Sequence, residues 1–401
     1  MKKIVIIDHF NQTPDEPGNN RFIYLAEILC KCGYQIEIVT TTFAHKTKKH
    51  RIVSEGLFDK IPYEYTMLHE PGYPKNVCIT RFYSHFVFGR NLKKYLESIE
   101  KPDLILIAVP SLNVGTVTGN YCRKNNVPLI VDIQDLWPEA FKLIFPIPII
   151  SDLLFLPMTL QANKFYKQAN KIIAVSETYK QRGIKYNKKD KHGLCVYLGT
   201  DINRFDESSM RFSTNKPDDE IWITYVGTLG HSYNIEIVID ALNQLSDTLA
   251  KNVVFNVFGD GPHFNRFQKY AEDCKVRVRF FGRMDYSQMT AYLCKSDIAV
   301  NPIVKGAAQS IINKHADYAS AGLPVVNTQE CEEYRNLISK YQCGINCEVE
   351  SVEQVAKALQ ELIENPVKRK QMGMNSRKMA EERFDRRSTY QQIVRAIEEM
   401  L

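Results

Sequence analysis

The chain has 401 residues, 44% apolar and 24% charged, a composition that excludes a disordered or fibrous protein and a length too great for one ordinary core. Its net charge of +6 is uneven, with 28 Lys and Arg against 20 Asp and Glu in residues 1–206 and 24 against 26 in the rest. Ten scattered cysteines exclude a disulfide framework, and Cys30/Cys32 and Cys343/Cys347 lack matching second pairs for zinc, so no metal is expected. A basic first half suits an anionic membrane surface or a phosphorylated acceptor. Basic runs interleaved with aromatics are missing, which argues against nucleic acid.

The opening run Ile4–Asp8 is too short for a secretion signal and reads as a first strand of a cytoplasmic protein. A turn-rich loop over Asn11–Asn20 leads to a helix from Arg21, where Phe22, Leu25, Ala26 and Leu29 lay one apolar stripe. Gly33 stops this helix, and Gln35–Thr40 is the next strand. Further strands are expected at Leu104–Val109, Leu129–Asp132, Ile172–Val175 and Cys195–Leu198. Near-continuous apolar runs separated by helices indicate parallel strands buried on both faces. The apolar stretch Phe141–Leu160 contains Lys142, Asp152 and three prolines, so it is no membrane span; it reads as a surface-docking or acceptor-lining segment, or as buried loop and helix.

The second half repeats the scheme at Trp222–Val226, Val253–Phe258, Val276–Phe281, Ile298–Val300 and Val325–Asn327. The polar stretch Ser208–Glu220 reads as linker. The expected fold is therefore α/β, with two Rossmann-like doubly wound domains over residues 1–206 and 207–383. A helical tail from Pro366 breaks near Phe384-Asp385, and residues 384–401 return to the first domain. Because ligands bind outside the carboxyl ends of such strands, a cleft where the domains face one another is expected.

Three segments suit a diphosphate or its ligand. Gly227-Thr228-Leu229-Gly230 follows a strand and lets backbone N–H groups approach an anion; the counterpart in the first half is Gly18-Asn19-Asn20-Arg21. Each alone is also an ordinary tight turn. In the third segment a helix starting near Ser310 would set Asn313, Lys314 and Asp317 on a shared side. Lys314 then offers a charge for phosphate and Asp317 a carboxylate for ribose hydroxyls, unless the two form a solvated ion pair.

Taken in order, these motifs resemble the retaining nucleotide-sugar glycosyltransferases of family 4, which have the GT-B fold. The resemblance covers essentially the whole chain. It rests on Gly33-Tyr34-Gln35-Ile36-Glu37-Ile38-Val39-Thr40, Asp132-Ile133-Gln134-Asp135-Leu136-Trp137-Pro138-Glu139, Val175-Ser176-Glu177 and Leu198-Gly199-Thr200-Asp201. In the second half it rests on Tyr225-Val226-Gly227, Phe258-Gly259-Asp260-Gly261-Pro262 and Ala321-Gly322-Leu323-Pro324-Val325. The Asp135-Leu136-Trp137-Pro138 and Ser310…Tyr318 elements are similar to members that build bacterial surface polysaccharides, capsule and O-antigen, on lipid carriers. The resemblance implies a UDP-linked hexose or N-acetylhexosamine donor, no cofactor, and a saccharide or polyprenyl-diphosphate-linked acceptor at the inner face of the plasma membrane. It assigns donor contacts to Gly227–Gly230, Gly282, Arg283, Ser310, Asn313, Lys314 and Asp317. Asp135 and Lys314 take the catalytic roles, and Gln134 and Trp137 join residues 18–21 on the acceptor side.

The chain departs from the family pattern at three places. Gln309 and Asp317 stand where two glutamates are common, Thr228 and Tyr233 stand near the usual Arg and Lys, and Gln134-Asp135 occupies the place of the usual first-domain histidine. Two other readings follow: a nucleotide-sugar 2-epimerase, which cleaves the same bond without an acceptor, and a non-catalytic nucleotide-sugar-binding subunit. A dehydrogenase is disfavoured because G-x-G-x-x-G is missing.

Overall fold

The computed structural model describes all residues except Pro17, Asn19, Val77, 145–147, Ala308 and Gln309, and the side chains of 143, 144 and 148. The chain forms two units: Met1–Val196 with Tyr390–Leu401, and Tyr197–Thr389.

In unit 1 the strands are β1 (Lys3–Ile7), β2 (Gln35–Thr41), a small antiparallel pair β3 (Phe43–Ala44) and β4 (Lys49–His50), β5 (Glu64–Leu68), β6 (Leu104–Val109), β7 (Leu129–Ile133), β8 (Lys171–Ala174) and β9 (Leu194–Cys195). The main sheet is parallel throughout, in the order β5-β2-β1-β6-β7-β8-β9. Strand order reverses between β1 and β6, which opens a crevice at their carboxyl ends. Fully buried β-branched and leucine side chains on both faces of β1, β6 and β7 supply the core, as parallel strands under helices require. The expected stripe on the Arg21–Lys31 helix is buried against one face. That face also takes Ile393, Val394 and Ile397 of the terminal Gln391–Glu398 helix.

Unit 2 carries β10 (Ile221–Val226), β11 (Val253–Phe258), β12 (Arg277–Gly282), β13 (Ile298–Asn301), β14 (Val325–Asn327) and β15 (Gly344–Asn346) in the parallel order β12-β11-β10-β13-β14-β15. Its reversal lies between β10 and β13. Two edge strands, β5 and β15, have no counterpart among the sequence expectations; half-exposed and poor in long apolar runs, they carry a weak signal. The expected strand Cys195–Leu198 shortens to β9, because the chain leaves the first sheet at Val196, whose N–H still bonds Ala174.

Residues 197–206, read from sequence as part of the first half, fold with unit 2. Phe205 of the Ile202–Met210 helix is buried edge-on against Tyr286, and Asp206 makes a bidentate pair with Arg377, both bonds 2.8 Å. The polar stretch 208–220 therefore lies inside unit 2 rather than between units. The tail bends at Asp385, between the Ala380–Phe384 turn of wide helix and the short Arg386–Thr389 helix. Among the described residues no helix is long and apolar enough to cross a membrane.

Candidate functional site

The carboxyl edge of the unit 2 sheet gathers the donor-site candidates. Past β10 the chain turns at Gly227 with φ +150°, where a Cβ would lie 2.9 Å from both Lys314 Nζ and the Tyr225 hydroxyl. The neighbouring loop comes so close that a Cβ on Gly259 would sit 1.8 Å from the Gly227 carbonyl. Glycine is needed at 259 for want of space against backbone, and at 227 for its positive φ. The Gly227 and Leu229 N–H groups bond Phe258 and Asp260 carbonyls, whereas those of Thr228 and Gly230 have no partner among the described residues.

The helix expected from Ser310 begins three residues later, over Asn313–Ser320. Ser310 lies in the preceding loop, where its carbonyl accepts 2.9 Å from Gln329 Nε2. Tyr318 pins the helix to the sheet: its hydroxyl accepts from the Val226 N–H at 2.8 Å and donates to the Val300 carbonyl at 3.2 Å. His315 stacks flat on Tyr334 with centroids 3.5 Å apart. Asn301, Asn327 and Asn346, the last residues of β13, β14 and β15, bond side chain to side chain across the sheet edge at 2.8 and 2.9 Å. Asn301 Nδ2 reaches Gln329 Oε1 at 3.1 Å, so this neutral ladder supports the Ser310 loop.

Within that frame Lys314 is buried, and its Nζ sits 4.1 Å from the ring centroids of both Tyr225 and Tyr233. The ammonium has no hydrogen-bonding partner among the described residues. Desolvation drives its pKa well below the usual lysine value. Two ring faces offer a cation a few kcal/mol at most, so three N–H donors stay unsatisfied beside a glycine loop. No ion pair joins Lys314 to Asp317. The latter is half-buried and accepts from the Tyr286 hydroxyl at 3.0 Å, while burial lifts its pKa to about 6. Tyr286 also lies 3.3 Å from Thr200 Oγ1. Asn313 and Arg283 are exposed, and Gly282 turns with φ +68° while its carbonyl accepts from Gly259 at 2.8 Å. Gln309, the altered glutamate position, is outside the described residues.

The matching edge of unit 1 is built differently. Arg21, expected to face an acceptor, is buried; its Nε donates to Asp132 Oδ2 at 2.8 Å and its Nη1 to the Tyr390 hydroxyl at 3.2 Å. It stacks over the Tyr390 ring, so its charge ties the returning C-terminal segment to β7. The Asp135 carboxylate accepts from the Leu136 N–H at 2.9 Å and from the Trp137 side chain. Burial raises the pKa of this carboxyl, against the Leu136 and Trp137 hydrogen bonds and nearby Arg81. Gly18 is exposed, and Asn19 lies outside the described residues. Asn20 and Gln134 line a cavity of about 120 Å³ together with Asp8, Asn11 and Phe10. Burial raises the Asp8 carboxyl to about 7, with nearby Asp132 adding to the shift and the Phe10 N–H and Arg51 opposing it.

Sequence reasoning found no histidine here, yet three converge. His9 Nδ1 lies 2.7 Å from Ser111 Oγ and its Nε2 3.1 Å from Glu70 Oε1, and Ser84 donates to Glu70 Oε2 at 2.6 Å. His85 packs edge-on to His9 and flat on Trp137. His45 bonds the Tyr73 hydroxyl at 2.5 Å. Desolvation lowers His45 to about 4 and His85 further, and neighbouring cations add to both shifts. Trp137 is itself buried, with the Arg81 guanidinium 4.6 Å above its ring. These residues come from the loops after β1, β3, β5 and β6 and from the inner side of the Ile79–Ser98 helix, so no local spacing announces them. The available signal was only that His9 follows β1 directly.

Among the described residues, no group of three His, Cys, Asp or Glu could hold a metal ion. Residues 206–379 match the family described as glycosyl transferases group 1. The fold is that of GT-B glycosyltransferases. Anabaena HepE, solved in complex with UDP, superimposes with TM-score 0.69 at 17% identity, covering all of both chains. A curated relative, an uncharacterized glycosyltransferase of Methanocaldococcus jannaschii, is 23% identical over 59% of this chain. WcaI of Escherichia coli, which carries the name of a colanic acid biosynthesis glycosyl transferase, is 24% identical over 48%. The chain spans 60% and 46% of the lengths of these two relatives.

Proposed function

We propose that the protein transfers a hexosyl or N-acetylhexosaminyl group from a UDP-linked donor to a saccharide or polyprenyl-diphosphate-linked acceptor, with retention, in bacterial surface polysaccharide synthesis. One observation carries the reading: an unpartnered buried lysine between two tyrosine rings, beside a glycine loop with open N–H groups. A diphosphate supplies the missing negative charge. Lys314 and the Thr228 and Gly230 N–H groups stabilise the leaving UDP as the bond from the anomeric carbon to the β-phosphate oxygen breaks. The acceptor hydroxyl bonds the same face of that carbon, and its proton passes to the departing phosphate oxygen. Asp317 accepts the ribose hydroxyls, with Tyr286 orienting its carboxylate, and the Gly282-Arg283 main chain frames the base. The loops of unit 1 around Asp8, Gln134 and Trp137 hold the acceptor. The relatives' names and the UDP complex of HepE support this assignment of class and donor.

Thermal-shift titration with nucleoside diphosphates tests the site. Saturation at 100 times Kd stabilises by about 2.7 kcal/mol, and the shift is expected with UDP and lost in Lys314→Ala. Equal shifts in wild type and variant would remove Lys314 from the site. The histidines and raised Asp8 of unit 1 favour one rival, a nucleotide-sugar 2-epimerase, since that chemistry needs acid–base groups. Incubation with donor alone separates the two, because interconverted sugar nucleotide without acceptor supports the epimerase.

A further inference from the structure

Unit 1 exposes ten large apolar side chains on two neighbouring segments, where single exposed residues would be ordinary. On the Ile79–Ser98 helix, Ile79, Phe82, Tyr83 and Phe86 are 42–86% exposed at spacings of three, four and seven. The opposite side of that helix buries Arg81, Ser84, His85 and Phe88. On the Pro148–Leu154 and Leu156–Tyr166 helices, Ile149, Leu153, Leu156 and Leu160 form a second exposed stripe. The two stripes are joined underneath: the Phe82 ring lies 5.7 Å from Phe141, and Phe141 lies 5.9 Å from Phe155, between the second pair of helices.

Both stripes change character in the same way. Beyond Phe86 the same helical side presents Arg90, Lys93 and Lys94, and beyond Leu160 it presents Lys164 and then Lys167, all exposed. At 1.5 Å per residue, the first basic residue follows the last apolar one by about 6 Å in each case, from Phe86 to Arg90 and from Leu160 to Lys164, within the depth of about 5–10 Å to which an amphipathic helix buries its apolar face at a headgroup boundary. Residues 79–98 and 148–167 hold six Lys and Arg against two Asp and Glu. One of those acids, Asp152, is paired with Lys142 at 2.6 Å.

The geometry points to a docking surface for an anionic phospholipid bilayer, with the two apolar stripes inserted among the acyl chains and the basic bands against the phosphates. It deepens the proposed function and rests on it only for the meaning of the acceptor. The helix that meets the lipid carries Arg81 and His85 on its inner side, so the surface adjoins the polar cluster of unit 1 and admits a lipid-borne acceptor from the membrane.

The test is co-sedimentation of the full chain with vesicles of phosphatidylcholine, alone or with roughly a third phosphatidylglycerol. Binding is expected to the anionic vesicles and to fall as salt rises. Ile149→Ser/Leu153→Ser/Leu160→Ser is expected to lower the partition coefficient about tenfold or more. Lys164→Glu/Lys167→Glu should remove the preference for phosphatidylglycerol. Thermal melting and UDP titration of the same variants are expected to match the wild type, since all these side chains are exposed. Wild type left in the supernatant with anionic vesicles overturns the docking surface, as does unchanged binding of the triple variant. A dimer in light scattering that the triple variant dissolves, without vesicle binding, assigns the face to a second copy instead. Loss of UDP binding in the wild type with vesicle binding intact would sink the transferase reading and leave the docking surface standing.

Discussion

The two sheets end in similar strand-reversal crevices but treat buried charge in opposite ways. At the edge of unit 1, Arg21 meets Asp132 at 2.8 Å and His9 meets Glu70 at 3.1 Å. At the edge of unit 2 the surroundings of Lys314 are neutral: tyrosine rings, an asparagine ladder and a glycine loop. A paired buried charge holds structure together and is costly to break; an unpaired one costs stability until a ligand pairs it. Residue type alone would have put Arg21 and Lys314 in the same role. Their partners separate them.

The largest effect is expected from Arg21→Ala. It strands Asp132 in the core and releases Tyr390, so it is expected to cost about 3–5 kcal/mol in urea unfolding, with UDP affinity of the folded fraction unchanged. A normal unfolding midpoint with weakened acceptor binding would return Arg21 to the acceptor site. Lys314→Met should do the reverse. Transfer is expected to fall by about 10²–10³, while the ligand-free protein gains about 1–2 kcal/mol by losing an uncompensated buried amine. Because burial lowers this lysine's pKa, its cost is full at low pH and fades as pH rises through the lowered value toward the unfolded one. The gain in Lys314→Met should shrink in the same direction.

Asp317→Asn keeps shape and the Tyr286 contact while removing the acceptor charge, and is expected to weaken UDP by about 1.5–3 kcal/mol. Wild-type UDP affinity should drop as pH falls through about 6, the raised value of this carboxyl, and the variant should lose that dependence. Calorimetric titrations at several pH values would show it. The smallest expected effect is at Asp8. With a folded pKa of about 7 against the ordinary 3.8, the native state holds the extra proton, so stability falls as pH rises between those values and levels above 7. Asp8→Asn should remove about 1–2 kcal/mol of that slope, allowing for solvent screening at a half-buried site. An unchanged slope would clear Asp8 of the titration.

Much of the fold was legible because its signals are local. Near-continuous apolar runs gave the central strands, the Phe22–Leu29 stripe gave the first helix, and glycines marked the turns after β10 and β11. The exceptions are physical too. Edge strands β5 and β15 bury little and so lack the apolar run that marks β6. Asn313 rather than Ser310 opens the helix that carries Lys314, because Gln329 holds the Ser310 carbonyl from a distant strand end.

The sequence by itself determined the two doubly wound halves, the glycine loop after β10 and the nearness of Lys314 and Asp317 on one helix, since periodicity and spacing lie within a few residues of chain. Tertiary structure decided which charges are matched. Asp132 neutralises Arg21 from 111 residues away, Tyr225 of β10 and Tyr233 of the loop after it close over Lys314, and His9, His45 and His85 meet from two loops and a helix. Electrostatic role depends on distance and burial, and neither is written in the order of residues.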